Sequence, residues 1–261
     1  MALISSALAS DVAQATAGPK MDPLHHFQVH KIMDMSILGI DISISNSVLW
    51  MLIAAGFAFL FFTHCIKNAK QVPGRMQSLA ELGYLFILDM VDDIIGKKDG
   101  RKFFPYIFTL FYFVLFCNLS GLIPGSFTAT SQIIVTGTFA ASIVTFTLLF
   151  GFYTHGAHYL KFFVPTGVPV LLMPLMIPIE IISFLARPVS LSVRLFANMT
   201  AGHTMLAVMF FYVVTLPVFG AWLPFGFTVV FTGVEIFIGF IQAYIFTILT
   251  CVYINDAVHM H

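Results

Sequence analysis

Charge is the scarcest ingredient of this sequence. Only 9% of its 261 residues are Asp, Glu, Lys or Arg, against about 25% in a soluble globular domain. With 59% hydrophobic residues and a mean hydropathy of +0.96, the chain has more apolar surface than one water-exposed domain can bury. The composition is that of a polytopic membrane protein. An excess of basic residues is missing too: 12 basic and 12 acidic side chains balance, which argues against a nucleic-acid partner. The three cysteines, Cys65, Cys117 and Cys251, stand in or beside apolar runs with no metal-ligand spacing. They read as small packing residues, and neither a disulfide framework nor a metal site is expected. No Gly-rich loop ends in Lys-Ser/Thr, so no nucleotide site of that kind and no cofactor are expected. The first nineteen residues hold no Lys or Arg, so the positive start of a signal peptide is absent. Small residues near Ala7–Ser10 and Ala15–Ala17 leave a removable leader open.

What is present is a series of long apolar runs. Residues 1–45 are polar to mixed and read as an external arm, with His25, His26 and His30 as solvated side chains rather than a metal site. A first span covers about Asn46–Ile66 and ends at Lys67 and Lys70. Met76–Ile95 differs: Ser78, Glu81, Asp89 and Asp92 recur at helical spacing, while Leu79, Leu82, Phe86, Met90 and Ile94 fill other faces. Four acids make a crossing unfavourable, so this segment is expected to lie in the interface. A basic cluster, Lys97, Lys98, Arg101 and Lys102, precedes a second span at about Phe103–Ile123, which Pro124-Gly125 breaks. A third span covers about Ile133–His155, and His155, His158 and Lys161 follow as loop residues. A fourth, long segment runs from Pro169 to about Val214, its first turns crowded by Pro169, Pro174 and Pro178 and kinked deeper by Pro188. An uncharged loop around Pro217–Pro224 leads to a last segment, about Phe225–Ile254.

The fold class is therefore all-α, with about five transmembrane helices and one interfacial amphipathic helix. The last two helices are long and strongly tilted. Seven of the twelve Lys and Arg fall in the first loop, none in the second and one in the third. The positive-inside rule then puts the N-terminus outside and the C-terminus in the cytoplasm, with Met76–Ile95 on the cytoplasmic side.

Inside this apolar background the fourth segment carries Glu180, Arg187 and Arg194. An ionisable group at a helix centre costs roughly 2.5–3.5 kcal/mol to insert, so its default reading is functional. Arg187, beside Pro188, is open to a second reading, a guanidinium that snorkels to the headgroups. Arg194 has about 20 mostly apolar residues on either side and no such exit. On a helix at 100° per residue, Glu180 and Arg194 stand ~40° and ~21 Å apart, whereas His203 is on the opposite face and ~13 Å further along. A single pore would want these groups on one stripe. Two half-depth pathways would want this offset. Ser183, Ser190, Ala197 and Ala201 share the Arg194 stripe, and such small residues admit a close helix: either the chain's own last segment or a partner helix with a carboxylate. In the last segment, Glu235 and Gln242 are seven residues apart on one face, flanked by Gly233 and Gly239. Asn198 is one turn from Arg194. Together with His203 these residues read as the lining of an aqueous proton route. Histidine exchanges protons near neutral pH, and arginine does not.

The run Arg187-Pro-Val-Ser-Leu-Ser-Val-Arg194-Leu-Phe-Ala-Asn198-Met-Thr-Ala-Gly202-His203, with Ile241-Gln-Ala-Tyr-Ile-Phe-Thr-Ile-Leu-Thr250 and Asn118-Leu-Ser-Gly-Leu-Ile-Pro124, resembles subunit a of the F-type ATP synthase. The likeness extends from about residue 100 to the C-terminus. The resemblance implies that Arg194 is the essential arginine and Glu180 the acid of the inner half-channel. Asn198 and Gln242 then match the family's pathway asparagine and glutamine. Many bacterial members carry Glu at the position of His203 and His at that of Glu235. Here the two are exchanged, as in members resembling the mitochondrial and alphaproteobacterial type, which leaves open which group meets the incoming proton first. The implied partners are a ring of c-type membrane hairpins, b-type peripheral-stalk subunits and the rest of the synthase. The implied site is a bacterial inner membrane, with the mitochondrial inner membrane as the alternative. The rival reading is a self-contained proton channel or ion/proton antiporter. A haem carrier is disfavoured because only His203 lies well within a span. An intramembrane protease or desaturase is disfavoured because no deep Ser-His pair or multi-His box stands out.

Overall fold

The computed structural model describes residues 31–33, 36–37, 40–41, 44–67, 70–123, 126–164 and 172–259. The leader region, His25, His26 and His30, the Pro124-Gly125 break, Pro169 and His261 lie outside them. Before the first helix, β1 (Lys31–Met33) pairs antiparallel with β4 (Ile44–Ser45), and β2 (Ser36–Ile37) with β3 (Ile40–Asp41). From there on the fold is helical: α1 (Asn46–Lys67), α2 (Arg75–Ile94), α3 (Lys97–Gly121), α4 (Ile133–His155), α5 (Met173–Thr215) and α6 (Val218–Val258). Short 3-10 segments, Ala129–Ser131 and Gly156–Phe163, flank α4.

Five of the helices are long and apolar enough to cross a membrane, and α2 is the exception. The chain is an all-α polytopic membrane protein. The α2 helix buries Ala80, Ile87, Met90 and Val91 against its neighbours but leaves Leu79, Leu82, Leu85 and Phe86 exposed. An acidic helix with an uncovered apolar flank suits a position along the interface. The α5 and α6 helices have 43 and 41 residues. At ~1.5 Å per residue each is about twice as long as a ~30 Å hydrocarbon core requires.

The structure revises several boundaries. Pro224 lies inside α6 rather than in a loop, and the connection after α5 is only the Leu216-Pro217 corner, with Pro217 capping α6. Proline pre-sets the helical φ near a helix start, and in a membrane neighbouring groups can satisfy the carbonyl it frees. Pro174 occupies the first turn of α5, where its missing N–H has no partner to lose, so that turn is regular. Lys97, Lys98, Arg101 and Lys102 begin α3 instead of preceding it.

Pro188 is the informative proline. It sits mid-helix in α5, so the carbonyl of Phe184, four residues back, loses its usual donor. The hydroxyl of Tyr253 on α6 donates to that oxygen at 2.9 Å, and the Tyr253 side chain is fully buried. One inter-helix hydrogen bond thus repairs the helix and ties α5 to α6. The centre of the molecule is built on Ile107 and Val114 of α3, Leu195 of α5, and Ala243 and Phe246 of α6, all at 0% exposure. Lipid is as apolar as leucine, so close packing and buried hydrogen bonds, more than solvent exclusion, hold these helices together.

Candidate functional site: an exposed arginine and a buried histidine–glutamate pair

The α5 helix has two faces of different character. Leu191, Leu195, Met199 and Gly202 are buried against the rest of the chain. Ser190, Arg194, Ala197 and Ala201 are exposed. The small-residue stripe therefore does not pack under the chain's own last helix, and of the two readings of that stripe the outward one describes its placement. A groove of about 350 Å³ runs along it, lined by Ser183, Arg187, Ser190 and Arg194 of α5 and by Ile245 and Leu249 of α6. Both arginines open onto this groove. Among the described residues, no carboxylate lies within ion-pair distance of Arg194. Glu180, near the start of α5, and Asn198 are half-buried.

On the inner face the geometry reverses. Nδ1 of His203 lies 3.5 Å from Oε1 of Glu235, and their side chains are 13% and 4% exposed. The two residues are 32 positions apart in sequence, and the α5–α6 corner folds them together. At 3.5 Å the contact is an ion-pair distance rather than a tight hydrogen bond. Both Glu235 carboxylate oxygens and Nε2 of His203 are buried without a hydrogen bond to protein. Gln242 is buried on the same face of α6, and its Oε1 is likewise unpaired. Buried polar atoms normally find partners, and a run of exceptions along one path marks a place where water or a moving proton belongs.

Gly202 makes the pair possible. A Cβ there would fall 2.5 Å from Glu235 Oε1 and 2.9 Å from its Cδ, so only glycine leaves room for the carboxylate next to His203. Gly239, a helical turn beyond Glu235, has a comparable role. Asn118 of α3 donates its Nδ2 to the Gly239 carbonyl at 3.0 Å, and a Cβ on Gly239 would meet the Asn118 Cβ at 3.3 Å. Gly233, the other glycine flanking that face, has nothing within 4 Å of its would-be Cβ, so no close approach within the described residues depends on it.

Sequence reading missed the supports of this site. Ser192 donates to Thr136 Oγ1 at 3.2 Å, joining α5 to α4. Thr200 reaches the Ser131 carbonyl at 3.5 Å. Thr130, Ser131, Thr136 and Ser192 are all buried, forming a hydroxyl-rich cluster beside α5. Hydroxyls in an apolar span are a weak signal, because most simply bond back to their own helix, as Thr247 and Thr250 do. His155 proves structural: its Nε2 lies 3.1 Å from the Ala257 carbonyl oxygen at the end of α6. Among the described residues, no group of His, Cys, Asp or Glu is arranged to hold a metal.

Comparison with known proteins gives a consistent picture. The profile of the family described as ATP synthase A chain matches residues 48–255. A protein of Magnetococcus marinus named ATP synthase subunit a is 60% identical over 252 residues, covering 95% of this chain and 97% of that protein. Those of Pelagibacter ubique and Rhodospirillum rubrum, under the same name, are 49% and 48% identical, covering 92% of this chain and 98% and 99% of theirs. A profile match over most of the chain, and identity near or above one half across nearly all of it, are sufficient: this chain belongs to the ATP synthase A chain family.

Proposed function

We propose that this chain is the stator subunit of a rotary ATP synthase in a bacterial inner membrane, and that it provides two offset proton half-channels separated by Arg194. A proton arrives from outside through the region of His203 and Glu235, with Asn198 and Gln242 along the route. It passes to a carboxylate on a rotating ring of membrane hairpins. Neutralised, that site moves into lipid. A site returning from the other side meets Arg194, whose fixed charge favours the ionised form of a carboxyl brought beside it. The released proton leaves past Glu180 to the cytoplasm. A permanent cation also repels protons and keeps the two inlets from joining. The drive is ~2.3 kcal/mol per charge for each 100 mV of membrane potential. The chain itself makes no bond to ATP. Peripheral-stalk subunits hold it against the torque of the ring.

One observation carries this reading: Arg194 is exposed on one face of α5, while His203 on another face of the same helix is set against Glu235 of α6. The cation lies on a small-residue surface that has no counter-charge among the described residues. The paired groups are sealed inside. An arginine exposed at depth calls for a partner outside the chain, and small residues around it let a helix approach. The test is exchange of the pair in membrane vesicles. His203→Glu and Glu235→His singly should each impair proton-driven ATP synthesis, and the double exchange should recover some of it. No recovery, with both proteins assembled, would separate the two residues functionally.

A further inference from the structure

The proton pathway uses α5 and α6, and it leaves the surface around α1 unassigned. There α1, α2 and α3 border three adjoining pockets that share wall residues. The widest, about 780 Å³, lies between α1 and α3 and is lined by Ala55, Ala58, Phe59, Phe62, Phe108 and Tyr112, among others. Phe62, Ile66 and Phe108 also line a second chamber of about 380 Å³ beside α2. Cys65 and Gln77 line both that chamber and a third, about 470 Å³, bordered by His64, Lys70 and Arg75. Lys67 lies at the end of the widest chamber. The walls are aromatic, with the Phe62 ring 4.6 Å from Tyr112 and 5.0 Å from Phe108, and with Tyr84 of α2 4.8 Å from Phe104.

Two features select an occupant. The first is length. From Ala55 to Lys67 the cleft follows α1 for twelve residues, ~18 Å at 1.5 Å per residue. That is little more than half of a ~30 Å hydrocarbon core, which suits a chain rooted in one leaflet and falls short for a helix crossing both. The second is polarity. The cleft is apolar at mid-membrane and basic at its mouth, where Lys67, Lys70 and Arg75 are exposed. The one acid on its wall, Glu81, is engaged by Gln77 Nε2 at 2.7 Å. Basic pockets between membrane helices take anionic headgroups. The geometry points to a site for one anionic phospholipid, with an acyl chain between α1 and α3 and its phosphate among Lys67, Lys70 and Arg75. The lipid would wedge α2 in the interface. This inference needs only that α1 and α3 cross the membrane, so it stands apart from the proton pathway.

Native mass spectrometry of the full chain in detergent tests it, with phosphatidylglycerol and phosphatidylcholine of identical acyl chains as probes. The wild-type chain should retain phosphatidylglycerol at least about tenfold better, as three cations near an anionic headgroup would require. Millimolar inorganic phosphate should not displace it. The triple variant Lys67→Gln/Lys70→Gln/Arg75→Gln, all at exposed positions, should lose the discrimination and keep weak retention of both lipids. Ala58→Trp, which fills the cleft, should lose both lipids while keeping wild-type helix content by circular dichroism. Equal retention of the two lipids by the wild type would overturn the site. So would displacement by phosphate, which would mark a free-anion pocket, or unchanged retention by a folded Ala58→Trp chain.

Discussion

Arg194 and Glu235 are both ionisable groups within membrane-crossing helices, and the structure treats them oppositely. Arg194 is exposed on a face of small residues, beside a groove. Glu235 is buried, shielded by Gly202 and set against His203. The cost of a charge in hydrocarbon is the same kind of cost in both places. The difference is where relief comes from. Glu235 has its partner within the chain, so burial is tolerable. Arg194 has no counter-charge among the described residues, so its face must stay open to something else. Exposure of a costly group thus points to a missing partner, and burial of one points to a partner already present.

Five substitutions would break or sharpen that contrast. Arg194→Ala should reduce proton-driven ATP synthesis in vesicles to background. Thermal stability of the isolated chain should change little, because the side chain is exposed and has no ion-pair partner among the described residues. Retained coupling would remove the arginine from the proposed role. Gly202→Val should be the next most damaging. Overpacking of this kind costs about 1–3 kcal/mol, and here it would also pry Glu235 from His203. Its neighbour Ala201→Val, on the exposed face, should leave the isolated chain's unfolding midpoint unchanged and impair only the assembled complex. If both variants destabilise the isolated chain alike, the two faces are not distinct. Tyr253→Phe should lower stability by about 1 kcal/mol, read from the unfolding midpoint, since it removes the hydroxyl that donates to the Phe184 carbonyl. A neutral result would mean that the Phe184 carbonyl opposite Pro188 is satisfied in another way. Ser192→Ala should have the smallest effect, about 0.6 kcal/mol, the average for one hydrogen bond between membrane helices. Thr136 keeps its own donation to the Ile133 carbonyl at 3.2 Å.

Much of the architecture was legible in one dimension. The four acids of Met76–Ile95 separated that helix from the crossing ones, and the apolar runs yielded five spans. Periodicity also put His203 and Arg194 on different faces of α5. It failed where proline was taken as punctuation. Pro224 continues α6, and Pro174 starts α5 cleanly, because proline's penalty depends on whether its N–H had a partner to lose and on which neighbours can serve the freed carbonyl. Gly233 and Gly239 looked equivalent by spacing, yet only Gly239 meets another helix. The supporting roles of Tyr253, Gly202 and Asn118 had no signal in the order of residues.

From sequence alone follow the membrane class, the number of candidate crossings, the family motif and the position of each charged group along its helix. All of these depend on hydropathy and on the angular period of a single helix. Tertiary structure alone decided that Glu235 stands against His203, that the Arg194 stripe faces outward and that Tyr253 repairs the break at Pro188. A helix's period states which way a side chain points along its own axis, but what stands opposite depends on how 43- and 41-residue helices cross and pack, and that is set by contacts distant in sequence.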